Sequence, residues 1–348
     1  MICNLYIMFK KWLFWEYWPG WLAMPPVIAI YIWFALRARH LVFFSNVNPK
    51  IPLGGVFGES KRAILDLIPE EYVPKTVFLE AGISRERVLS ILEAANLHFP
   101  LMVKPDIGER GFLIKKVEDE QALHAHLERY SLDFLVQEFL KEPMEATVLY
   151  YRFPDGRFGI TSVCIKEFMS VTGDGVSSVE ELMARDFRAF LQIDRFKKDA
   201  PAMLTRVPAP GEKVLLEPVG NHARGTKFVN GAPWITEQMV NRFHAICQRI
   251  DGVLYGRFDL KITSMEALQR GEFKAMELNG ITSDPAHVYD PDHGMWRAYR
   301  DYYRHWRIIY RLHKAQSRAG VLPTTHRDAL RFFRNYFRYK REIMPRIG

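Results

Sequence analysis

Two neighbouring stretches of the sequence decide the fold: YGRFDLK at Tyr255–Lys261 and FKAMELNG at Phe273–Gly280. Each has the character of a β-strand with one buried and one polar face. Residues two apart in a strand share a face, so Arg257 points with Asp259 and Glu277 points with Asn279. Such a face offers the hard oxygen ligands that Mg²⁺ requires. A plain hairpin with surface charges has the same periodicity and is the alternative.

From Leu97 onward, short apolar segments alternate with segments of helical character. The predicted strands are Leu101–Lys104, Phe112–Lys115, Phe134–Glu138, Ala146–Phe153, Phe158–Cys164, Val214–Glu217, Gly252–Ile262 and Phe273–Leu278. The predicted helices are Asp119–Tyr130, Val179–Gln192 and Glu237–Ile250. Strands that alternate with helices in this way indicate an α+β or α/β core of the kind that enzymes use.

A lysine and two glycines follow one another in FPLMVKPDIGERG, residues 99–111. Lys104 ends a predicted strand and supplies a point charge suited to phosphate. Gly108 and Gly111 allow backbone N–H groups to approach anionic oxygens closely. The segment therefore favours a phosphate-binding loop, and a surface turn with a solvated lysine is the alternative.

A second lysine precedes a glycine-bounded turn in KEFMSVTGDGVSSVEEL, residues 166–182. Two glycines bracket Asp174, and the serines that follow begin a helix whose N-terminal amides favour anions. Lys166 is the candidate for a second phosphate-binding lysine. A purely structural turn is the alternative here.

Five segments, in this order along residues 97–290, resemble the motifs of the ATP-grasp superfamily. They are residues 99–111, LVQEFL at Leu135–Leu140, residues 166–182, NHARGTKF at Asn221–Phe228, and the two strands at 255–280. The glycine-bounded turn is similar to that of cyanophycin synthetase and related ligases. The strand pair is similar to that of D-alanine–D-alanine ligase and its relatives. The resemblance implies an α+β ATP-grasp fold, in which two α+β lobes sandwich the nucleotide.

The resemblance also implies which residues bind ATP. The nucleotide-binding candidates are Lys104, Gly108, Gly111, Glu138, Phe139, Leu140, Glu145, Lys166 and Asp174. Among them, Glu138, Phe139 and Leu140 would line the adenine pocket between the lobes. Glu145 would bind a ribose hydroxyl, and the two lysines would hold phosphates.

Metal and substrate contacts follow from the same resemblance. The metal-ligand candidates are Asp259, Glu277 and Asn279, which would hold Mg²⁺, with Mn²⁺ as a substitute ion. Arg257 is the catalytic candidate, because a cation there would stabilise oxyanion charge at the acyl centre. The substrate-side candidates are Asn221, Arg224 and His287. A solvated polar loop is the alternative for these three.

The resemblance implies an ATP-dependent ligase that joins a carboxylate to an amine through an acylphosphate. The substrates would be small molecules or lipid-linked groups. The alternatives are a non-catalytic scaffold or nucleotide sensor at the membrane, and an ATP-dependent phosphotransferase. ATP-grasp enzymes usually carry a sizeable α/β domain ahead of the nucleotide lobes, and here about fifty residues stand in its place. This departure leaves the substrates unidentified.

The first segment of the chain is unusually apolar. From Tyr17 to Leu36 it runs 20 residues without a charge, which is about the length of a helix that spans a bilayer. Tryptophans at both ends are typical of a membrane–water interface. Two prolines at 25 and 26 leave a kinked span and a re-entrant hairpin as alternatives, and a buried core helix is a third. We expect a membrane anchor here.

The last segment carries the positive charge. Residues 296–348 hold 14 Lys or Arg and 3 Asp or Glu, a net +11, whereas the whole chain has +8, so residues 1–295 carry −3. Basic residues recur every three or four positions at Arg297, Arg300, Arg304, Arg307, Arg311, Lys314 and Arg318. Aromatic residues follow the same spacing at Trp296, Tyr299, Tyr303, Trp306 and Tyr310. On a helix these form two adjacent stripes.

These stripes favour docking on an anionic membrane surface. Binding of nucleic acid is the less favoured alternative, and packing of the aromatic stripe on the core is the other. The expected organisation is a membrane anchor at 1–44, a reduced preceding region at 45–96, an ATP-grasp catalytic domain at 97–295, and basic amphipathic helices at 296–348. We expect a bacterial-type inner membrane location with the catalytic domain facing the cytoplasm.

Composition excludes several other classes of protein. The chain has 348 residues, of which 48% are hydrophobic and 25% are charged, so it is neither disordered nor collagen-like. Its three cysteines are widely separated and form no CxxC pair, which argues against a disulfide scaffold or a cysteine zinc site. The sequence leaves the oligomeric state undetermined.

Overall fold

The computed structural model describes residues 11–108, 111–218 and 220–343. Its strands are β1 (Thr76–Leu79), β2 (Leu101–Pro105), β3 (Lys115–Val117), β4 (Phe134–Glu138), β5 (Met144–Arg152), β6 (Phe158–Glu167), β7 (Ser170–Thr172), β8 (Lys213–Leu215), β9 (Lys227–Asn230), β10 (Tyr255–Ile262) and β11 (Lys274–Asn279). Its α-helices are α1 (Gly20–Ala23), α2 (Pro25–Ala38), α3 (Lys61–Leu65), α4 (Arg85–Ala94), α5 (Glu120–Arg129), α6 (Val179–Arg185), α7 (Phe187–Phe190), α8 (Ile193–Asp199), α9 (Pro201–Leu204), α10 (Glu237–Cys247), α11 (Met265–Arg270), α12 (Met295–Arg318) and α13 (His326–Ile343). The mixed α/β architecture that the sequence predicts is confirmed.

The first sheet has four antiparallel strands in the order β1-β4-β2-β3. Helix α4 packs on it through Val88 and Leu92, which share a core cluster with Leu79 and Val103. This sheet therefore includes residues before the predicted domain start at 97. Strand β1 was not predicted, because it has only four residues and the first three are only half-buried.

The second sheet has five antiparallel strands in the order β11-β10-β5-β6-β9. One of its faces is covered by α10, which begins after Thr236 accepts a hydrogen bond from the Met239 N–H at 3.2 Å. Met239, Phe243 and Cys247 recur every four residues, so they lie on one side of α10 and pack against Phe258 of β10. The opposite face of the sheet carries polar side chains.

A smaller unit consists of helices α6 to α9 and the two-stranded antiparallel sheet of β7 and β8, and its members share one apolar cluster. The sequence predicts one helix over Val179–Gln192, but the structure divides it at Asp186. The Asp186 carboxylate accepts from the Ala189 N–H at 2.8 Å and caps a new helix, α7. A side chain that caps the backbone therefore interrupts a helix that the hydrophobic pattern would continue.

The predicted strands are confirmed to within a few residues, with one exception. The strand predicted at Phe112–Lys115 lies instead at β3, Lys115–Val117, because Leu113 has a positive φ of 52° that no strand accommodates. The short strands β7 and β9 were not predicted from the sequence.

The apolar segment near the amino terminus folds onto the rest of the protein. Helix α2 has only 14 residues, and its N-terminal prolines occupy the first turn. Within the described ranges, no helix is both long enough and apolar enough to cross a bilayer. The prediction of a spanning anchor is therefore not supported. Phe34 and Ala35 of α2 are buried in a cluster with Ile309 and Leu312 of α12.

The aromatic stripe of α12 has a structural role in this packing. Trp306 lies 5.1 Å from the ring of Tyr31, and Tyr303 and Tyr310 lie 5.5 and 5.4 Å from Phe34. These three residues of the stripe are therefore packed within the fold, but against α2 rather than against the catalytic core that the alternative named. The seven basic residues of the adjacent stripe are all exposed.

The segment between α2 and the first sheet joins the terminal helices to the second sheet. Asn48 is fully buried, and its amide donates to the carbonyls of Gly54 and Tyr255. Its side-chain oxygen accepts from the N–H groups of Leu254 and Tyr255. Asn46 donates to the Val321 carbonyl beyond α12 at 2.6 Å. The short region at 45–96 therefore helps to hold the terminal helices against the core.

Candidate active site

The polar face of the second sheet gathers most of the predicted site residues. Cross-strand partners point to the same side of a sheet. Asp259 is opposite Glu277 on one side and Thr147 on the other, and Glu145 is opposite both Lys166 and Lys261. The residues that share this face are Glu145, Thr147, Cys164, Lys166, Arg257, Asp259, Lys261, Glu277 and Asn279.

Buried ion pairs connect the centre of this face. Lys166 Nζ lies 3.0 Å from Asp259 Oδ2 and 3.5 Å from Glu145 Oε2. Arg257 Nε donates to the other oxygen of Asp259 at 3.0 Å, and Lys261 Nζ lies 3.3 Å from Glu145 Oε1. The side chains of Lys166, Glu145 and Asp259 are 7, 9 and 11% exposed. These charges are shielded from water, so each is stabilised mainly by its oppositely charged partners.

The pKa values reflect this pairing. Burial would raise the pKa of Asp259, but Arg257 and Lys166 outweigh it and lower that pKa to about 2. Burial would lower the pKa of Lys166, whereas Asp259 and Glu145 raise it above its ordinary value. Burial would likewise lower the pKa of Arg257, but Asp259 raises it above its ordinary value. All three groups are charged at neutral pH.

Two predicted metal ligands remain available on this face. Within the described part of the chain, Glu277 forms no ion pair or hydrogen bond, and the buried Nδ2 of Asn279 has no partner. Rotation of the amide would exchange this nitrogen for the oxygen. A carboxylate and an amide oxygen next to Asp259 are a donor set suited to a hard divalent cation. The residues present therefore fit Mg²⁺.

Lys104 reaches this site from the first sheet. It is the penultimate residue of β2, and its Nζ donates to the Met276 carbonyl of β11 at 2.9 Å. Burial lowers the pKa of Lys104 to about 8, against the opposing effect of Glu277. The two sheets therefore face each other across Lys104 and Glu277.

The predicted adenine segment connects the two sheets. Glu138 is the last residue of β4, and β5 begins at Met144 in the other sheet. Glu138 Oε1 accepts from the Lys75 N–H at 2.9 Å, and Lys116 Nζ lies 4.4 Å from the Phe139 ring. Leu140 is half-buried. Contact of these residues with adenine remains a prediction, as does contact of Glu145 with ribose.

Gly220 passes directly over the ion-pair network. A Cβ at this position would lie 2.4 Å from Glu145 Oε2 and 2.7 Å from Lys166 Cδ, so only glycine fits without displacing them. Gly108 follows β2, and its carbonyl accepts from Lys61 Nζ. Gly111 has a left-handed φ of 78°. Glu109 and Arg110 of the predicted phosphate loop lie outside the described residues.

Asp174 is engaged within its own turn. Its carboxylate accepts from the N–H groups of Val176 and Ser177, the Ser177 hydroxyl and Arg185. The hydrogen bonds from Ser177 contribute most to lowering its pKa below the ordinary value. Asp174 therefore stabilises the turn before α6, and its contact with ATP stays a prediction.

Two substrate-side candidates lie beside the amino-terminal segment. Asn221 Oδ1 accepts from the Ala223 N–H at 2.9 Å, and Arg224 lies 3.7 Å from Glu217. The neighbouring His222 lies 2.7 Å from Glu16, which also pairs with Arg188 at 2.9 Å. The third candidate, His287, is buried at the other end of the polar face. A solvated loop is excluded for His287.

Several residues of the face were not identified from the sequence. Lys261, Thr147 and Cys164 alternate with apolar residues along β10, β5 and β6, so the period of two could have indicated them. His293 and Asp301 lie beside His287 but are not on a strand, and no local pattern links them. Lys166 and Asp259 are 93 residues apart, so a local sequence pattern cannot predict that they pair.

Comparisons with known proteins give the following result. No family model matches the chain, and no curated protein is significantly similar to it in sequence. Similar solved structures include a bifunctional glutathione synthetase from Pasteurella multocida (18% identity, TM-score 0.38), a D-Ala:D-Ser ligase from Enterococcus faecalis (16%, 0.41) and a carboxyaminoimidazole ribonucleotide synthase from Aspergillus clavatus, complexed with ATP (9%, 0.38).

These alignments cover 70, 73 and 64% of this chain, and 36, 61 and 44% of the respective solved chains. The protein therefore spans between about a third and three fifths of the chains it is compared with. Every TM-score is below 0.5, so the site assignments rest on geometry rather than on these likenesses. The three are ATP-grasp enzymes, the superfamily whose motifs this sequence resembles.

Proposed function

We propose that the protein is an ATP-dependent ligase that joins a carboxylate to an amine and releases ADP and phosphate. One observation carries the proposal. Lys166 and Arg257 lie on the same buried sheet face as Asp259, Glu277 and Asn279. Cations for phosphate and oxygen donors for a divalent ion are the two requirements of phosphoryl transfer from ATP.

In the proposed reaction, an oxygen of the substrate carboxylate attacks the γ-phosphorus and the bond to ADP breaks. The amine nitrogen then attacks the acyl carbon, loses a proton, and phosphate leaves with the bonding electrons. Lys104 and Lys166 would bind the phosphates. Arg257 would stabilise the negative charge on the acyl oxygen as that carbon becomes tetrahedral. Positioning and charge neutralisation would supply most of the rate enhancement.

Asp259, Glu277 and Asn279 would hold Mg²⁺, which neutralises phosphate charge when it is bound. In the structure both oxygens of Asp259 already accept hydrogen bonds from cations. The proposal therefore requires Lys166 or Arg257 to turn toward the phosphates when ATP binds. That exchange replaces one anionic partner with another, so neither cation is left buried and unpaired.

A substrate screen tests this function. The full chain is incubated with Mg-ATP and pools of carboxylates and amines, and ADP, phosphate and product mass are measured. We expect ADP release that requires both substrates and a product whose mass is their sum less one water. A product that carries the phosphoryl group would indicate a phosphotransferase. Thermal stabilisation by Mg-ATP without turnover would indicate a sensor. Either result would contradict ligation.

The same proposal includes attachment to an anionic membrane surface rather than a span. Four apolar residues on the outer side of α2, Ile28, Ile32, Trp33 and Leu36, are about half exposed or more. Arg37 lies over both Trp33 and Tyr310 and so connects this side of α2 to α12. The seven basic residues of α12 form a stripe next to the aromatic residues that contact α2. Apolar and cationic residues side by side are typical of interfacial binding.

Binding to vesicles tests this attachment with the full chain. The variant Arg304→Glu/Arg307→Glu/Arg311→Glu should bind anionic vesicles at least about 100-fold more weakly than the unmodified protein, because three attractive charges are lost and three repulsive ones are added. Each basic residue near an anionic surface contributes about 1 kcal/mol. Flotation with phosphatidylserine-containing vesicles at moderate salt would measure this change.

A matched control has the same net charge with changes elsewhere. Arg87→Glu/Lys141→Glu/Lys213→Glu alters three exposed basic residues away from α12 and should leave vesicle binding nearly unchanged. Equal losses in both variants, or competition by RNA with vesicles, would contradict the membrane assignment. The proposal puts the catalytic domain on the cytoplasmic side of a bacterial-type inner membrane, where ATP is available, with small or lipid-linked substrates.

A further inference from the structure

Three side chains beside the polar face form a compact buried group. His287 Nε2 lies 3.2 Å and His293 Nε2 lies 2.8 Å from the same Oδ2 of Asp301. All three ligand atoms lie within 4.8 Å of one another, and the side chains are 8, 7 and 13% exposed. Two imidazoles therefore converge on one carboxylate oxygen in a site largely screened from water.

The surrounding residues hold this group in place. His287 follows β11 in a short 3-10 turn, His293 precedes α12, and Asp301 lies in the second turn of α12. The other ring nitrogen of His287, Nδ1, lies 2.7 Å from Ser162 Oγ of β6. A hydrogen bond of this kind fixes the orientation of an imidazole whose other nitrogen binds a metal.

We propose that His287, His293 and Asp301 bind one divalent transition-metal ion of the zinc class. Two imidazole nitrogens and a carboxylate are ligands that zinc accepts, whereas Mg²⁺ prefers oxygen. Tetrahedral zinc with ligand bonds of about 2.0 Å places its ligand atoms about 3.3 Å apart. The two distances to Asp301 are close to that value. Three protein ligands leave a fourth position for water or for a substrate group.

Metal binding requires each imidazole to present the Nε2 lone pair and to carry its proton on Nδ1. For His287, Ser162 Oγ is placed to accept that Nδ1 proton. The ion would then take the place of the hydrogen bonds that now link both Nε2 atoms to Asp301. Binding therefore releases protons and weakens as the pH falls.

This site is separate from the proposed magnesium site. Ser162 and the proposed magnesium ligand Asn279 lie in one register row of the sheet, three strands apart, which is roughly 14 Å at about 4.8 Å per strand. The ligands of the proposed zinc site link the turn after β11 to α12, the helix that bears the cationic stripe. A bound ion would therefore fix α12 against the second sheet, and the proposal does not depend on ligase activity.

The test uses the full chain after removal of metal with a chelator. We expect one equivalent of Zn²⁺ to bind and to raise the melting temperature, and Co²⁺ to give the visible absorption of a four-coordinate centre. His293→Gln and Asp301→Asn should weaken Zn²⁺ binding by at least tenfold, and Ser162→Ala by about tenfold. Failure of the unmodified protein to bind stoichiometric Zn²⁺ or Co²⁺ would overturn the proposal without reference to any variant.

Two control variants locate the bound ion. His98→Gln removes an exposed histidine elsewhere and should leave Zn²⁺ binding unchanged. Glu277→Gln removes a proposed magnesium ligand and should also retain Zn²⁺. If Zn²⁺ binding were lost in Glu277→Gln but kept in His293→Gln, the ion would lie at the nucleotide site, and the assignment to His287, His293 and Asp301 would be wrong.

Discussion

Replacing Glu277 by glutamine is expected to lower ATP turnover by about 100-fold or more. This carboxylate lies on the buried polar face beside Asp259, and among described residues it has no ion-pair partner. Its removal therefore leaves the ion-pair network of the folded protein intact while it takes away a proposed ligand of Mg²⁺. ADP release with the substrate pair found by screening measures the loss.

A nearby carboxylate provides the matched control. Glu272 is exposed, pairs with Arg270 at 2.7 Å and lies five residues before Glu277. Glu272→Gln removes the same charge from the protein and should retain nearly full turnover. Both variants should remain folded at the assay temperature, which thermal melting checks. If Glu277→Gln kept more than half of the turnover, Glu277 would not be a ligand of the catalytic metal.

Replacing Lys166 by methionine is expected to lower the free energy of unfolding by about 3 kcal/mol or more. Lys166 Nζ contacts both Asp259 and Glu145, and all three side chains are almost completely buried. Arg257 and Lys261 still neutralise part of the remaining charge, but two carboxylates lose a hydrogen-bonded cation in a site shielded from water. Urea unfolding followed by circular dichroism measures the change.

An exposed lysine separates the effect of burial from the loss of charge. Lys197 pairs with Glu180 at 2.8 Å, and the two side chains are 55 and 42% exposed. Because water screens this pair, Lys197→Met should change the free energy of unfolding by no more than about 1 kcal/mol. Equal destabilisation by the two substitutions would show that the network around Lys166 is not the buried charge cluster described above.

Local periodicity determined much of the fold. The strands that carry Arg257 with Asp259 and Glu277 with Asn279 were predicted because side chains two apart share a strand face whatever the rest of the protein does. The break at Asp186 was missed, because a capping side chain competes with helix continuation only when its own rotamer meets the backbone N–H. Strand β1 was missed because its stability comes from pairing with β4, far along the chain.

The candidate site, like the fold, could be predicted from the sequence only in part. Sequence motifs predicted which residues would bind phosphate and metal, and the sheet register brings Lys166, Arg257, Asp259 and Glu277 to one face. The sequence did not predict that Glu145 would pair with two lysines rather than remain available. It also did not place Asp301 beside His287. Both depend on contacts between distant segments, which hydrophobic pattern does not encode.

What the sequence determined by itself was the character of each segment: an uncharged stretch at 17–36, an α+β core, and a striped basic helix at 296–318. The tertiary structure decided where the apolar surface goes. An aromatic stripe loses the same contact with water whether it meets lipid or another helix. Here Phe34 of α2 and Tyr310 of α12 cover each other, and the arginines of α12 face outward because a buried unpaired cation is too costly.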